Sequence, residues 1–97
     1  MNHPGVSIVV PVYNGAQHIG NCIESLLKQD YPRDGFEIIV VDNNSTDNTS
    51  EIIRKYPVKY ALETKPGACC ARNAGIRNAA GELIAFTDSD CVADEKW

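Results

Sequence analysis

Two apolar runs, VSIVVPVY at residues 6–13 and FEIIVVD at 36–42, carry β-branched side chains with no regular polar alternation. A strand with one wet face alternates polar and apolar residues, whereas unbroken runs like these suit strands covered on both faces, as in a parallel sheet between helices. Between them, the segment 16–29 sets Ile19, Cys22, Ile23, Leu26 and Leu27 at helical spacing before the breaker DYPRDG. After the second run, NNSTD offers Ser45 or Thr46 as the cap of a helix that reaches about Tyr56 and buries Ile52, Ile53 and Tyr56. Pro11 has no ladder donor, so the first strand is expected to loosen or bend there.

The alternation continues. VKYAL at 58–62 reads as a short third strand and ETKPG as a loop. The Ala-rich segment 68–80 reads as a helix that sets Ala71, Ala74 and Ile76 against a sheet, weakened at Gly75 by about 1 kcal/mol relative to alanine. Gly81 would terminate it, and ELIAFTD at 82–88 would be a buried fourth strand. The economical fold is a single α/β domain over residues 1–97: a Rossmann-like parallel sheet with helices on both faces and right-handed crossovers, in strand order 3-2-1-4. Such a sheet binds ligands beyond the carboxyl ends of its strands, where the strand order reverses beside the first strand.

A formal charge of −4 and a sequence pI near 5.0, with nine scattered basic residues, argue against a nucleic-acid partner. The opening residues show no cationic leader, and no stretch approaches the roughly 20 apolar residues of a membrane span, so a cytoplasmic location is expected. Cys22, Cys69, Cys70 and Cys91 have neither C-x-x-C spacing nor nearby histidine partners; they are expected to be reduced thiols, with Cys22 in the core.

The polar residues gather where that fold demands them. The first strand ends in Tyr13 and Asn14, the second in Asp42, Asn43 and Asn44, and the fourth in Thr87, Asp88, Ser89 and Asp90. Two carboxylates one residue apart, Asp88 and Asp90, can share a hard divalent cation with phosphate oxygens, and their place after the fourth strand favours this over a simple turn. Asp42 has two readings, as an acceptor for the backbone of its own turn or as a ligand contact. Tyr13 is either an anchoring aromatic or a face for a nucleobase, and Arg72 either a solvated helix charge or a contact to pyrophosphate or base. No aspartate occurs between Met1 and Gln29, which counts against a receiver-type or phosphatase-type site, and no G-x-G-x-x-G is present for a dinucleotide.

The ordered set P-V-Y-N (11–14), D-x-x-S-T-D (42–47), A-R-N-x-G (71–75) and D-x-D (88–90) closely resembles the N-terminal half of the family 2 glycosyltransferases with the GT-A fold, over nearly the whole chain. The resemblance implies a nucleotide-diphospho-sugar donor, commonly a UDP-sugar, and a glycan, lipid or protein acceptor. It implies Mg2+ or Mn2+ as cofactor. It places Pro11 and Tyr13 near the base, assigns Asp42 to a hydrogen bond with the base, Asp88 to the ribose and metal shell, and Asp90 to the cation bridging the diphosphate. Many members have Asp-Asp-Gly where this chain has Asp42, Asn43 and Asn44; Asn44 tolerates the left-handed backbone that glycine would supply, so the turn is expected to survive. The resemblance also implies that the general base and acceptor pocket follow the D-x-D, beyond residue 97, and with them any membrane association. The isolated chain is then expected to bind the donor without turnover, and the surfaces bared by such a cut to favour dimers. The alternative is a nucleotide-diphosphate and metal-binding module with no turnover of its own.

Overall fold

Strand and helix alternate from Val6 to Phe86 in the computed structural model, which describes residues 5–28 and 35–88. The order is β1 (Val6–Val12), α1 (Ile19–Leu27), β2 (Phe36–Asp42), α2 (Thr49–Ile53), β3 (Lys59–Leu62), α3 (Ala68–Asn78) and β4 (Leu83–Phe86). The strands form one parallel sheet in the expected order β3-β2-β1-β4. Successive side chains alternate between its faces. Ile8, Val10 and Val12 of β1 and Ile38 and Val40 of β2 pack with Ile19, Cys22, Ile23 and Leu26 of α1 and Ile53 of α2. Val9, Ile39 and Val41 face the other way, onto Ala71 and Ala74 of α3. Both faces of β1 and β2 are therefore covered, which is why neither run alternates.

Small residues let α3 approach the sheet closely. Gly75 is buried, and a Cβ there would collide with the side chain of Val9. The glycine that weakens the helix by propensity thus permits its contact with β1.

Several local expectations are corrected. β1 does not loosen at Pro11, which stays in register with Val41. The Val9 carbonyl accepts from Thr87 on the β4 side, and backbone direction alternates along a strand, so the donor missing at position 11 faces β4, whose pairing stops at Val9 and Phe86. α1 starts at Ile19 rather than Ala16, because residues 15–18 form a turn closed by His18 and Ile19 N–H groups on the Gly15 carbonyl. The residue at the N-cap position of α2 is Asn48, which makes no side-chain cap bond, rather than Ser45 or Thr46, and Ile52 and Tyr56 are only half-buried. α3 ends at Asn78, ahead of Gly81, and Ile76 is 45% exposed. β4 is not buried: Leu83 is 68% exposed and Phe86 43%, because among the described residues β4 pairs with β1 alone and stands at the sheet edge.

Gly81 has a different task, at the amino edge of the sheet. Its N–H donates to Ser7 Oγ at 2.8 Å, and a Cβ would lie 2.7 Å from both Ser7 N and Oγ. Buried Ser7 donates in turn to Glu37 Oε2 at 2.6 Å, which also accepts from Ala80 N–H at 2.6 Å, while Lys59 pairs with Glu37 Oε1 at 3.0 Å. Burial alone would raise the Glu37 carboxyl; the bonds from Ser7, Ala80 and Lys59 outweigh it and hold the group below its ordinary 4.5. This network ties the starts of β1, β2 and β3 to the α3–β4 turn.

Candidate functional site

At the carboxyl edge, the loops after β1 and β2 are stitched together by side chains. Asn14 takes a left-handed backbone with φ 49°, and its Oδ1 accepts from Thr46 N–H at 2.8 Å. Ser45 Oγ accepts from Asn14 N–H at 2.9 Å, Thr49 Oγ1 from Gly15 N–H at 3.1 Å, and Asp47 Oδ2 from Ala16 N–H at 3.3 Å. The Thr49 hydroxyl also donates to Asp47 Oδ1. Ser45 and Thr46 do not cap α2 because they hold the β1 loop, and the polar residues of D-x-x-S-T-D serve as loop acceptors and donors.

Asp42 closes β2 and is 2% exposed. Its Oδ1 accepts from Ser45 N–H at 2.9 Å, and its Oδ2 from the Tyr60 hydroxyl at 2.8 Å. It therefore does receive a backbone donor from its own turn, the plainer of its two readings, and it has a second donor from β3. Burial first, and then the bond to Asp42, push the Tyr60 hydroxyl above its ordinary 10.0, so it stays protonated and able to donate at neutral pH. The Arg54 guanidinium lies 4.4 Å from the centre of the Tyr60 ring, within cation–π range.

Asn43 reaches toward α3. Its Nδ2 donates to the carbonyls of Glu63 at 2.9 Å and Lys65 at 2.7 Å, and its Oδ1 accepts from Gly67 N–H at 3.0 Å, just ahead of α3. A carboxylate could make only the last of these bonds. Asparagine here fits a loop that presents two carbonyls, which accounts for the departure from Asp-Asp-Gly. Asn44 adopts φ 59°, the left-handed conformation expected of it.

Of the other predicted residues, Pro11, Tyr13, Arg72 and Asp88 lie on the elements expected of them. Pro11 is half-buried on the α3 face of β1, and Tyr13, just past that strand, is 61% exposed. Arg72 is exposed on α3, its guanidinium 3.8 Å from Cys69 Sγ. Asp88 is exposed two residues past β4, and its carbonyl accepts from the thiol of buried Cys22 at 3.6 Å, so α1 supports the start of D-S-D from beneath. Asp90 lies outside the described residues, as does Cys91. Among the described residues no three His, Cys, Asp or Glu side chains converge as a metal site, and no helix is long and apolar enough to cross a membrane. Of the described cysteines, Cys69 and Cys70 are free thiols, and Cys22 is buried.

The sheet order, the left-handed turn after β2 and the polar strand ends agree with a match of residues 7–97 to the model of glycosyl transferase family 2. The chain belongs to that family. It is 38% identical over 100 residues to the glycosyltransferase AglE of Haloferax volcanii, covering 97% of this chain and 33% of that protein. It is 42% identical over 90 residues to the poly(ribitol-phosphate) beta-N-acetylglucosaminyltransferase TarS of Staphylococcus aureus, covering 87% of this chain and 16% of TarS. The crystal structure of S. aureus TarS 1–349 in complex with UDP matches with a TM-score of 0.84 at 36% identity, over 94% of this chain and 29% of that one. The mannosyltransferase PcManGT from Pyrobaculum calidifontis, in complex with GDP-Man and Mn2+, matches with a TM-score of 0.84 at 38% identity, over 91% and 28%. The fold is accordingly that of the GT-A glycosyltransferases, and the chain spans a third or less of these proteins.

Tyr60 is a partner of Asp42 that reading the sequence did not single out. Its signal is one of register: Tyr60 lies opposite Val40, and Leu62 opposite Asp42, so Tyr60 and Asp42 share a face of adjacent strands. The parity of a strand is legible in a sequence, but its register against a neighbour is not.

Proposed function

We propose that the chain is the donor-binding part of a glycosyltransferase that takes a sugar from a nucleoside-diphosphate sugar, UDP-linked by preference, and delivers it to a glycan, lipid or protein acceptor. The observation that carries this reading is the gathering of the ends of β1, β2 and β4 on one sheet edge, beside the point where strand order reverses, in a chain of this family. The UDP held by TarS, and the GDP-Man and Mn2+ held by PcManGT, support the ligand class.

In this reading Asp42 accepts a hydrogen bond from the base, with Pro11 and Tyr13 beside it. The exposed ring of Tyr13 is free to stack against a base. Arg72 meets the diphosphate through its exposed guanidinium. Asp88 and Asp90 offer hard carboxylate oxygens, which suit Mg2+ or Mn2+ better than a soft metal. Bound there, the cation offsets the negative charge of the leaving diphosphate. The residues of this chain bind and orient the donor; we assign the acceptor pocket, and the base that would deprotonate the acceptor hydroxyl, to the part of such a protein that this chain does not span.

Calorimetric titration of UDP into the chain, with and without Mn2+, tests the assignment. Binding is expected to be weak and to require the metal, and Asp90→Asn is expected to abolish the metal's effect. Metal-independent binding of equal strength in the wild type and the variant would overturn it.

A further inference from the structure

The Asp42 carboxylate is held from two elements at once. Ser45 N–H, in the loop after β2, occupies one lone pair of Oδ1, and the Tyr60 hydroxyl, on β3, occupies one of Oδ2. Each carboxylate oxygen accepts about two bonds, so each keeps one further site. With donors fixed on different oxygens by the loop after β2 and by β3, the carboxylate plane cannot turn without breaking a bond. Tyr60 is itself restrained: its ring packs against the core beneath α1 and α2, and the Arg54 guanidinium, at the end of α2, covers it. Because the hydroxyl spends its proton on Asp42, the remaining sites there are acceptors only. A base that presents a ring N–H matches such a site, whereas a base that presents a bare ring nitrogen puts two acceptors face to face, and buried unpaired polar groups are costly.

We infer that Tyr60 is a specificity-determining positioning residue, whose hydroxyl fixes the Asp42 carboxylate as an acceptor that selects a pyrimidine bearing a ring N–H, as in uridine diphosphate, over one with a bare ring nitrogen, as in cytidine diphosphate. The inference rests on the donor-binding reading above, in which Asp42 meets the base. It adds a residue on a different strand that touches no ligand itself and acts through Asp42.

The test is calorimetric titration of UDP and of CDP, both with Mn2+, into the wild-type chain, Asp42→Asn and Tyr60→Phe, with thermal melting of each variant as a check of folding. The wild type is expected to prefer UDP, and Asp42→Asn to lose that preference. Tyr60→Phe, which deletes one hydroxyl and keeps the ring, is expected to weaken UDP binding about tenfold while leaving CDP binding near its wild-type value. Should the wild type and Asp42→Asn bind UDP alike, the donor-binding assignment of Asp42 fails, and the role of Tyr60 with it. Should Asp42→Asn lose the preference while Tyr60→Phe keeps it, the assignment of Asp42 stands and the inference about Tyr60 is overturned. Equal weakening of UDP and CDP in Tyr60→Phe would also overturn it, because support of the fold alone does not distinguish two bases of the same shape.

Discussion

Asn43 carries more of the site's geometry than its place in a turn suggests. One side chain joins the end of β2 to the carbonyls of Glu63 and Lys65 and to the amide ahead of α3, the helix that carries Arg72. Replacing it with aspartate is nearly isosteric, but removes both donations and sets a negative oxygen against two carbonyls. Asn43→Asp is expected to lower stability by about 1–3 kcal/mol in urea unfolding. Unchanged stability would mean that the loop finds other donors. Asn14 and Asn44, both with positive φ, belong to the same scale: each turns the chain sharply just past a strand, where asparagine tolerates the left-handed region better than most residues.

At the scale of elements, the strand order was legible because β1 and β2 are covered on both faces and the Ala- and Gly-rich stretch before β4 can approach a sheet. What escaped was set by contacts distant in sequence. Ser45 and Thr46 read as helix caps, but their partner is Asn14, more than thirty residues away. Gly81 read as a helix stop, but its neighbour is Ser7 on the opposite end of the chain. β4 read as buried because LIAF is apolar, yet nothing in those four letters tells an edge strand from a central one. The candidate site was legible as a set of strand ends and illegible as a set of bonds: Asp42 could be placed at the end of β2, but its bond to Tyr60 could not be read.

The amino-edge network makes stability depend on pH. Since the folded Glu37 carboxyl lies below its ordinary 4.5, its contribution to stability is fully present above that value and is lost as pH falls through the lowered one. Glu37→Gln is expected to cost about 1–2 kcal/mol near pH 7, with the gap between variant and wild type closing as the pH is taken well below 4.5. Urea unfolding across that range checks it; a gap independent of pH would show that packing, rather than the charge, holds the α3–β4 turn.

For the whole molecule, the two edges of the sheet have different chemistry. The amino edge is closed by hydrogen bonds among Ser7, Glu37, Lys59, Ala80 and Gly81. The carboxyl edge is stitched loop to loop, yet leaves Tyr13, Arg72 and Asp88 exposed above it. That asymmetry matches a family whose members transfer sugars, and we propose that nucleotide binds at the carboxyl edge. Mapping amide shifts of the isotope-labelled chain by NMR, as UDP and Mg2+ are added, tests it most directly, because magnesium does not broaden the signals. With nucleotide at the carboxyl edge, shifts are expected to concentrate at Tyr13 to Ala16, Asp42 to Thr46, Arg72 and Thr87 to Asp90, with Ser7, Glu37 and Ala80 to Glu82 unmoved. Shifts centred on the second group, with the first unmoved, would contradict it.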